Sequence, residues 1–332
     1  MAATVVLLHS AALGVGSTHP VYSTLSIALG VGFCRIAVPA FFLISAYLFF
    51  TKLETAWNTS IWVEKLKKRC RTLLLPYLIW NAIAALALWF YPWLHARLHG
   101  ETYPGFIAHI VEWGGLWDTK EALPFDGPLW FIRYLMILIV AAPLIWLFVK
   151  YLRIYGVIGL TLLFVGLGIP GEGLVLFIWG AWFRMEGRNI LTDFQRVRWP
   201  AMVVMLLTWV LLTLTYRNHP VLYWISSSLY ILSGIVIVFL LVSRGLNSGR
   251  IRVRPFLAQS SFFIFAAHNI LILHDFSHWL ILHLLPFQGE WMECIDLFLR
   301  PTIAVIICLG LFYLLKRFTP KTLAVLTGGR NA

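Results

Sequence analysis

Four ionisable side chains interrupt otherwise apolar stretches of the sequence: His9, Arg35, Arg133 and His268. A charged group at hydrocarbon depth costs on the order of 3 kcal/mol by insertion scales, so such residues in apolar segments usually serve a function. An imidazole exchanges a proton near neutral pH, and a guanidinium is a permanent positive charge that binds carboxylates and phosphates. The four residues therefore indicate proton transfer and anion binding in apolar surroundings.

His9 and Arg35 lie in consecutive apolar segments that a turn near His19-Pro20 connects. Two antiparallel helices around that turn place the residues at comparable depth, so we predict that they share a site. A plain alternative exists for each. His9 fits a neutral histidine hydrogen-bonded in a helical core or lying near the membrane interface. Arg35 fits a structural charge that pairs with an anion or with the backbone carbonyl that Pro39 frees.

Arg133 and His268 have equally plain alternatives. Arg133 follows Pro128 by five residues, which is roughly 7 Å along a helix, so its side chain could extend to the outer surface. His268 lies beside Asn269 in SSFFIFAAHNILILH, where a core hydrogen bond would account for it. The basic run KLKKRCR at 65–71 fits either a membrane-headgroup anchor or a phosphate-binding site.

The composition is that of a membrane protein, since 60% of the 332 residues are hydrophobic and only 12% are charged, against about 25% in soluble domains. A span needs roughly 20 apolar residues. The chain is therefore predicted to be an all-α transmembrane bundle of about ten spans that forms a single integral membrane domain over 1–332. The predicted spans are 2–15, 26–50, 72–94, 128–149, 154–170, 172–186, 199–216, 221–243, 256–274 and 295–315.

Lysine and arginine cluster in alternate connections, after the second, fourth, sixth, eighth and tenth spans. By the positive-inside rule these connections and both termini are cytoplasmic. The opposite connections have few cations, and the longest of them, 95–127, is mildly acidic. The net charge of +12 is thereby explained without nucleic acid. The segment 276–292 is predicted to be interfacial or re-entrant on the outer side.

A charged cavity with a basic cytoplasmic mouth suits an anionic cytoplasmic substrate. No cysteine and histidine cluster has zinc-ligand spacing, so no metal site is predicted. The residues alone leave three classes open: an enzyme, a transporter or flippase of a glycolipid or anionic solute, and a purely structural subunit. Transporters often contain internal repeats, and 1–165 has no convincing similarity to 166–332, which disfavours the second class.

Five segments in order resemble the acyltransferase-3 family of bacterial membrane O-acyltransferases, in particular the branch that acetylates surface polysaccharides. RIAVPAFFLISAYLFF, which begins at Arg35, resembles the second span of the family and is the most specific match. VVLLHSA resembles its first-span motif ending in histidine, and KKRCRTLLLPYLIWN resembles the basic stretch that opens its third span. GPLWFIRYLMIL and SSFFIFAAHNIL resemble its P-L-W-F-x-R and late histidine motifs. The segments extend over most of the chain.

The resemblance implies transfer of an acyl group, usually acetyl, from cytoplasmic acyl-coenzyme A to a hydroxyl of a lipid-linked or cell-surface glycan. It implies a multi-pass protein of the bacterial inner membrane with no permanently bound cofactor and with membrane lipids around it. His9 would be the general base, and Arg35 would polarise the thioester carbonyl or hold a pyrophosphate oxygen. The coenzyme A phosphates would be bound by Lys68, Arg69 and Arg71, and the acceptor side of the cavity would be lined by Trp130, Arg133 and His268.

Two positions depart from the family pattern. The family has an arginine eleven residues before the first-span histidine, whereas this sequence begins eight residues before His9. We therefore expect either an upstream start or a first span and active site that lack this arginine. The family tyrosine three residues before the late histidine is Phe265, which lacks the hydroxyl.

Overall fold

A computed structural model describes residues 2–112, 124–167, 171–285 and 289–329. All regular structure in these residues is helical, which confirms the predicted all-α class. Short π-helical segments at 27–32, 70–74 and 272–276 and 3-10 turns at 33–36 and 127–129 interrupt the α-helices. The α-helices are α1 (Ala2–Ala12), α2 (Pro20–Ser26), α3 (Ala37–Phe49), α4 (Thr59–Arg69), α5 (Leu75–Leu98), α6 (Phe106–Glu112), α7 (Trp130–Val140), α8 (Ala142–Leu167), α9 (Glu172–Met185), α10 (Ile190–Arg196), α11 (Arg198–Thr215), α12 (Pro220–Asn247), α13 (Pro255–Ala267), α14 (Ser277–Leu284), α15 (Glu290–Phe318) and α16 (Pro320–Leu326).

Local sequence accounts for where several helices begin. Helices α2, α12, α13 and α16 each start at a proline, whose fixed φ suits the first helical position and whose missing N–H costs nothing there. The Asn189 side chain caps α10 by accepting hydrogen bonds from the backbone of Leu191 and Thr192. The helices long enough to cross a membrane are predominantly apolar, as helices in lipid must be.

The described residues contain six helices long and apolar enough to cross a membrane, or seven if the bent pair Pro255–Ala267 and Ile272–Leu284 is one span. The protein is thus a multi-pass membrane protein. Two short helices and the joining of the predicted spans 128–149 and 154–170 in α8 account for the difference between seven and the predicted ten. The predicted spans at 2–15 and 172–186 correspond to helices of 11 and 14 residues, shorter than a full membrane crossing.

The chain divides into two compact units. The first comprises Met1–Ser10, Lys67–Met136 and Pro255–Ala332, and the second comprises Ala11–Leu66 and Ile137–Arg254. Both units are therefore discontinuous in sequence. The residues that open the chain join the same unit as those that end it.

In the first unit, the two ends of the chain are fixed by hydrogen bonds to distant backbone. The Ser10 hydroxyl donates to the carbonyl of Leu297 (3.4 Å), and the Trp80 indole donates to the carbonyl of Leu326 (3.0 Å). Gly328 has φ +66 and lies so close to Thr72 that a Cβ would be 2.3 Å from the Thr72 carbonyl oxygen. Only glycine fits such a left-handed position in close backbone contact.

In the second unit, α3 and α9 pack closely because small residues face each other. A Cβ on Gly180 would lie 2.3 Å from the Leu43 carbonyl oxygen and 2.9 Å from the Ala46 Cβ. Small residues at such contacts are typical of helices packed in membranes, where close approach of the backbones supplies the attraction.

Two sharp breaks divide helical segments. The chain bends by 84° between α13 and the Ile272–Leu284 segment, with Leu271 in the left-handed region at φ 57. The second part of this bend overlaps the piece 276–292 that was predicted to be interfacial or re-entrant. Residues 286–288 of that piece lie outside the described residues, and its last residues begin α15. The second break is at Arg153, inside α8, where φ is 47 and ψ is −141. In the acidic connection 95–127, Asp118 and Glu121 also lie outside the described residues.

Candidate active site

The first unit brings together two of the sequence-predicted residues, His9 and His268. Their ring centroids are 5.3 Å apart and the ring planes are tilted by 48°. His9 lies near the end of α1 and is half-buried, whereas His268 follows α13 and is fully buried, with 0% of its surface exposed. Two imidazoles of the first unit are thus in ring contact among apolar helices.

The hydrogen bonds of His268 fix its tautomer. Its Nδ1 lies 3.0 Å from the carbonyl oxygen of Ile264 and 2.9 Å from that of Phe265. Carbonyls only accept, so Nδ1 carries the hydrogen and the Nε2 of the neutral ring is a free acceptor. Nε2 is buried and has no hydrogen-bond partner among the described residues. His268 is therefore held rigidly with its lone pair available.

A buried ion pair adjoins the histidines and was missed by the sequence analysis. Arg300 donates to Asp296 through Nε (3.1 Å) and Nη2, and Nη2 also lies 2.8 Å from His278 Nδ1. Asp296 and Arg300 are 8% and 6% exposed. His274 interacts electrostatically with Arg300 and also with His9 and His268. The spacing of an aspartate and an arginine four residues apart in the last predicted span was the available signal.

Arg133, Tyr77 and Asp126 form a second polar group in the first unit. The Arg133 guanidinium is hydrogen-bonded to the Tyr77 hydroxyl, and Asp126 interacts electrostatically with that tyrosine. Asp126 is 1% exposed. Burial raises the pKa of the Asp126 carboxyl well above its usual range, which favours its neutral acid form. Trp130, the first residue of α7, is half-buried.

Arg35 belongs to the second unit, where irregular backbone positions it. The chain changes from a π-helix to a 3-10 turn at Gly32, and Arg35 lies in that turn. Its Nη1 donates to the Tyr223 hydroxyl (2.7 Å), and its Nη2 lies 3.8 Å from a carboxylate oxygen of Glu172. Its anionic neighbour is thus Glu172. That Arg35 shares the site of His9 stays a prediction.

The basic residues predicted to bind coenzyme A lie where α4 passes into the π-helical segment 70–74. Lys68 and Arg71 are exposed and line a surface depression together with Thr72. Arg69 is half-buried between them in sequence. The exposure of Lys68 and Arg71 leaves these two cations accessible to a phosphate ligand. Within the described residues, no group of three or more histidine, cysteine or acidic side chains has the arrangement of a metal site.

Comparison with known proteins defines the class. Residues 2–317 match the acyltransferase-3 family, described as an acyltransferase domain, and the chain belongs to this family. It is an O-acyltransferase. It is also similar to the succinoglycan biosynthesis protein ExoH of Rhizobium meliloti (strain 1021), with 27% identity over 323 residues, covering 92% of this chain and 82% of that protein. No solved structure matches the chain significantly.

Proposed function

We propose that this protein transfers an acyl group, most simply acetyl, from cytoplasmic acyl-coenzyme A to a hydroxyl of a lipid-linked or cell-surface glycan. The observation that carries the proposal is the contact of His9 with His268 within apolar helices of an acyltransferase-family chain. Similarity to a protein of succinoglycan biosynthesis supports a polysaccharide or its lipid-linked precursor as the acceptor.

His9 acts as the general base in the proposed reaction. It takes the proton of the acceptor hydroxyl as the oxygen attacks the thioester carbonyl, and the new ester forms as the carbon–sulfur bond breaks. The proton passes from the imidazolium to the departing coenzyme A thiolate. General-base assistance of this kind contributes roughly 10²–10⁴-fold.

His268 supports this reaction as a fixed neutral neighbour. Its Nδ1 hydrogen is engaged by the Ile264 and Phe265 carbonyls, so Nε2 can accept a hydrogen bond from the acceptor hydroxyl. Arg133 and Trp130 line the acceptor side in this proposal, as a cationic donor and as an aromatic stacking face. Their place near the start of α7 supports that role.

The donor is held by cations. Lys68, Arg69 and Arg71 bind the coenzyme A phosphates in the proposal, and their clustering over four residues supports it. Arg35 stabilises the oxyanion of the thioester or a pyrophosphate oxygen as a fixed positive charge. Glu172 and Tyr223 orient its guanidinium.

We further propose the full topology: ten spans in the inner membrane with both termini cytoplasmic. The break at Arg153 supports it, because α8 then contributes its first part to a span with α7 and its second part to the next span. Lys150 and Arg153 lie at this break, where the positive-inside rule requires a cytoplasmic turn. A reporter inserted in 95–127 should read extracytoplasmic, and a cytoplasmic signal would overturn this topology.

The test is acetyl-coenzyme A turnover by the detergent-purified protein with and without a bacterial cell-envelope glycan extract. We expect glycan-dependent release of free coenzyme A that His9→Ala abolishes. His95→Ala is the matched control, since His95 is exposed on α5 of the same unit. Activity retained in His9→Ala would refute the base assignment. Absence of any coenzyme A binding by the wild type would favour the transporter.

A further inference from the structure

Buried hydrogen-bond acceptors cluster in the first unit, and the proposed chemistry leaves them unused. Both carboxyl oxygens of Asp126 and the amide oxygen of Asn269 are buried and have no hydrogen-bond partner among the described residues. The Asn269 Nδ2 lies 3.8 Å from the position that a Cβ on Gly127 would occupy, so the amide lies against the residue next to Asp126. Buried polar atoms nearly always have a partner. Three unsatisfied oxygens on neighbouring side chains therefore leave hydrogen-bonding capacity for a ligand.

The backbone of Asp126 is held by Asn81. The Asp126 N–H donates to Asn81 Oδ1 (3.2 Å), and Asn81 Nδ2 donates to the Tyr77 carbonyl (2.8 Å). The Asp126 carbonyl accepts from the Leu129 N–H (2.9 Å), which starts the 3-10 turn. Asn81 is itself 1% exposed. This network fixes Asp126 at the entrance of α7 without engaging its carboxyl group.

The Asp126 carboxyl group also does not cap the helical turn that follows it. Asp126 occupies the N-cap position of the 3-10 turn, where an aspartate typically accepts a hydrogen bond from the helix backbone. Its side chain makes no capping hydrogen bond. An aspartate that is buried, rigidly held and not used as a cap has a carboxyl available for something else.

The hydrogen-bonding properties of these buried side chains indicate which kind of ligand they bind. The Asn269 amide oxygen and the Nε2 of His268, the preceding residue, accept hydrogen bonds, and the Asp126 carboxyl group offers further acceptor oxygen. They require a ligand rich in hydrogen-bond donors. A thioester carbonyl offers none, whereas a sugar ring offers several hydroxyl groups. Burial favours the neutral acid form of Asp126, which donates one hydrogen bond and accepts others, as a pair of adjacent hydroxyls requires.

We infer that Asp126 and Asn269, with Asn81 as the positioning residue, form a subsite that binds hydroxyl groups of the acceptor sugar. The inference rests on the proposed function and names the part of the site that recognises the acceptor. These residues orient the sugar ring so that the hydroxyl to be acylated reaches the histidine pair. Their contribution is to acceptor binding, and donor binding is independent of them.

The experiment compares Asp126→Ala, Asn269→Ala and wild type in glycan-dependent coenzyme A release, coenzyme A binding and thermal midpoint. Losing hydrogen bonds to a neutral ligand should raise the KM for the glycan extract about tenfold, with coenzyme A binding unchanged. Glu101→Gln is the control, an exposed carboxyl in the same long connection. Asp126→Asn, which retains one acceptor oxygen, should have an intermediate KM.

An unchanged KM for the glycan in both alanine variants would overturn the subsite. So would a loss of coenzyme A binding equal to the loss of glycan affinity. If Asp126→Ala fails to fold, Asn269→Ala alone decides. If the wild type releases no coenzyme A, direct titration with the glycan extract tests the subsite separately from acyl transfer. Glycan binding that Asn269→Ala weakens would support the subsite although the transfer proposal fails. No glycan binding by the wild type would overturn the subsite.

Discussion

Arg300 lies one helical turn beyond Asp296 on α15, and the two buried side chains form a bidentate ion pair that also reaches His278. An arginine in an apolar helix is tolerated when a carboxylate neutralises it and when its remaining donors are engaged. His278 supplies one further acceptor for the guanidinium. The pair thus fixes a positively charged group close to the histidines of the candidate active site without leaving a net charge in the unit's interior.

Asp296→Asn should strongly destabilise the protein. The substitution leaves the Arg300 charge buried and without its carboxylate, a change that costs about 3–5 kcal/mol in comparable sites. The measurement is the thermal midpoint of the purified protein in detergent. We expect a large decrease and little folded material in the membrane fraction.

The double variant Asp296→Leu with Arg300→Met is the control for this prediction. It removes both charges and keeps the volume, so it should be markedly more stable than Asp296→Asn. Equal destabilisation of the single and double variants would show that the buried charge is not the cause. A stable double variant without acyl transfer would assign the pair a role in the reaction.

His268→Asn should separate the structural and chemical roles of this histidine. An asparagine amide can still donate to the Ile264 and Phe265 carbonyls, which now accept from Nδ1, but it has no group at the place of Nε2. We expect turnover to fall by about 10²-fold or more at an almost unchanged thermal midpoint. His283→Asn, at an exposed position of α14, should retain activity. A midpoint that falls in parallel with turnover would contradict the chemical role.

The helical fold was largely predictable because apolar segments of sufficient length have one stable form in lipid. Hydropathy located the strongly apolar helices such as α3 and α12 and the bent segment after α13. It did not give the lengths of the shorter helices. Helix α9 has 14 residues and packs closely against α3 at Gly180. Tertiary contacts of this kind have no signature in a single hydropathy profile.

The candidate site was predictable only where one residue contradicts its surroundings. His268 and Arg35 are conspicuous because each interrupts an apolar run. Asp126 and Arg300 were not, because Asp126 lies in a polar connection and Arg300 near the end of a span, where charges are ordinary. Their burial follows from packing between segments far apart in sequence, such as Asn81 against Asp126. The i, i+4 spacing of Asp296 and Arg300 indicates that the two can pair, but no local pattern contains their burial.

Tyr223→Phe should leave the Arg35 guanidinium less firmly positioned. The substitution deletes a 2.7 Å hydrogen bond to the guanidinium, and hydrogen bonds to charged groups contribute about 1.5–3 kcal/mol. Arg35 is partly exposed, so the lower end applies. We expect a decreased thermal midpoint and a decreased turnover, since the guanidinium is held only by the more distant Glu172 carboxylate (3.8 Å) among its described polar contacts.

Tyr216→Phe is the matched control, since the Tyr216 ring packs edge-on against Tyr223 with centroids 5.0 Å apart. It keeps this ring contact and leaves the Arg35 hydrogen bond intact. Tyr223→Phe with wild-type midpoint and turnover would show that the hydroxyl does not position Arg35. A decrease in both tyrosine variants would instead point to the packing of the two rings.

Asp193→Asn should destabilise the protein in a pH-dependent way. Hydrogen bonds from Arg188, at 2.6 and 2.9 Å, lower the pKa of the Asp193 carboxyl below its usual range. A carboxyl whose pKa is lower in the folded state binds its proton more weakly there than in the unfolded chain. Its contribution to stability is therefore complete above the pKa of the unfolded chain and disappears as the pH falls through the pKa of the folded state.

The thermal midpoints of Asp193→Asn and wild type should accordingly differ at pH 7 and converge in acid. The difference should also shrink with added salt, because the Arg188 side chain is exposed and salt screens ion pairs at the surface. Glu64→Gln, an exposed carboxyl elsewhere in the same unit, serves as the control and should leave the midpoint nearly unchanged at both pH values. A difference between Asp193→Asn and wild type that persists at pH values below the folded pKa would show that lost packing, and not the ion pair, destabilises the variant.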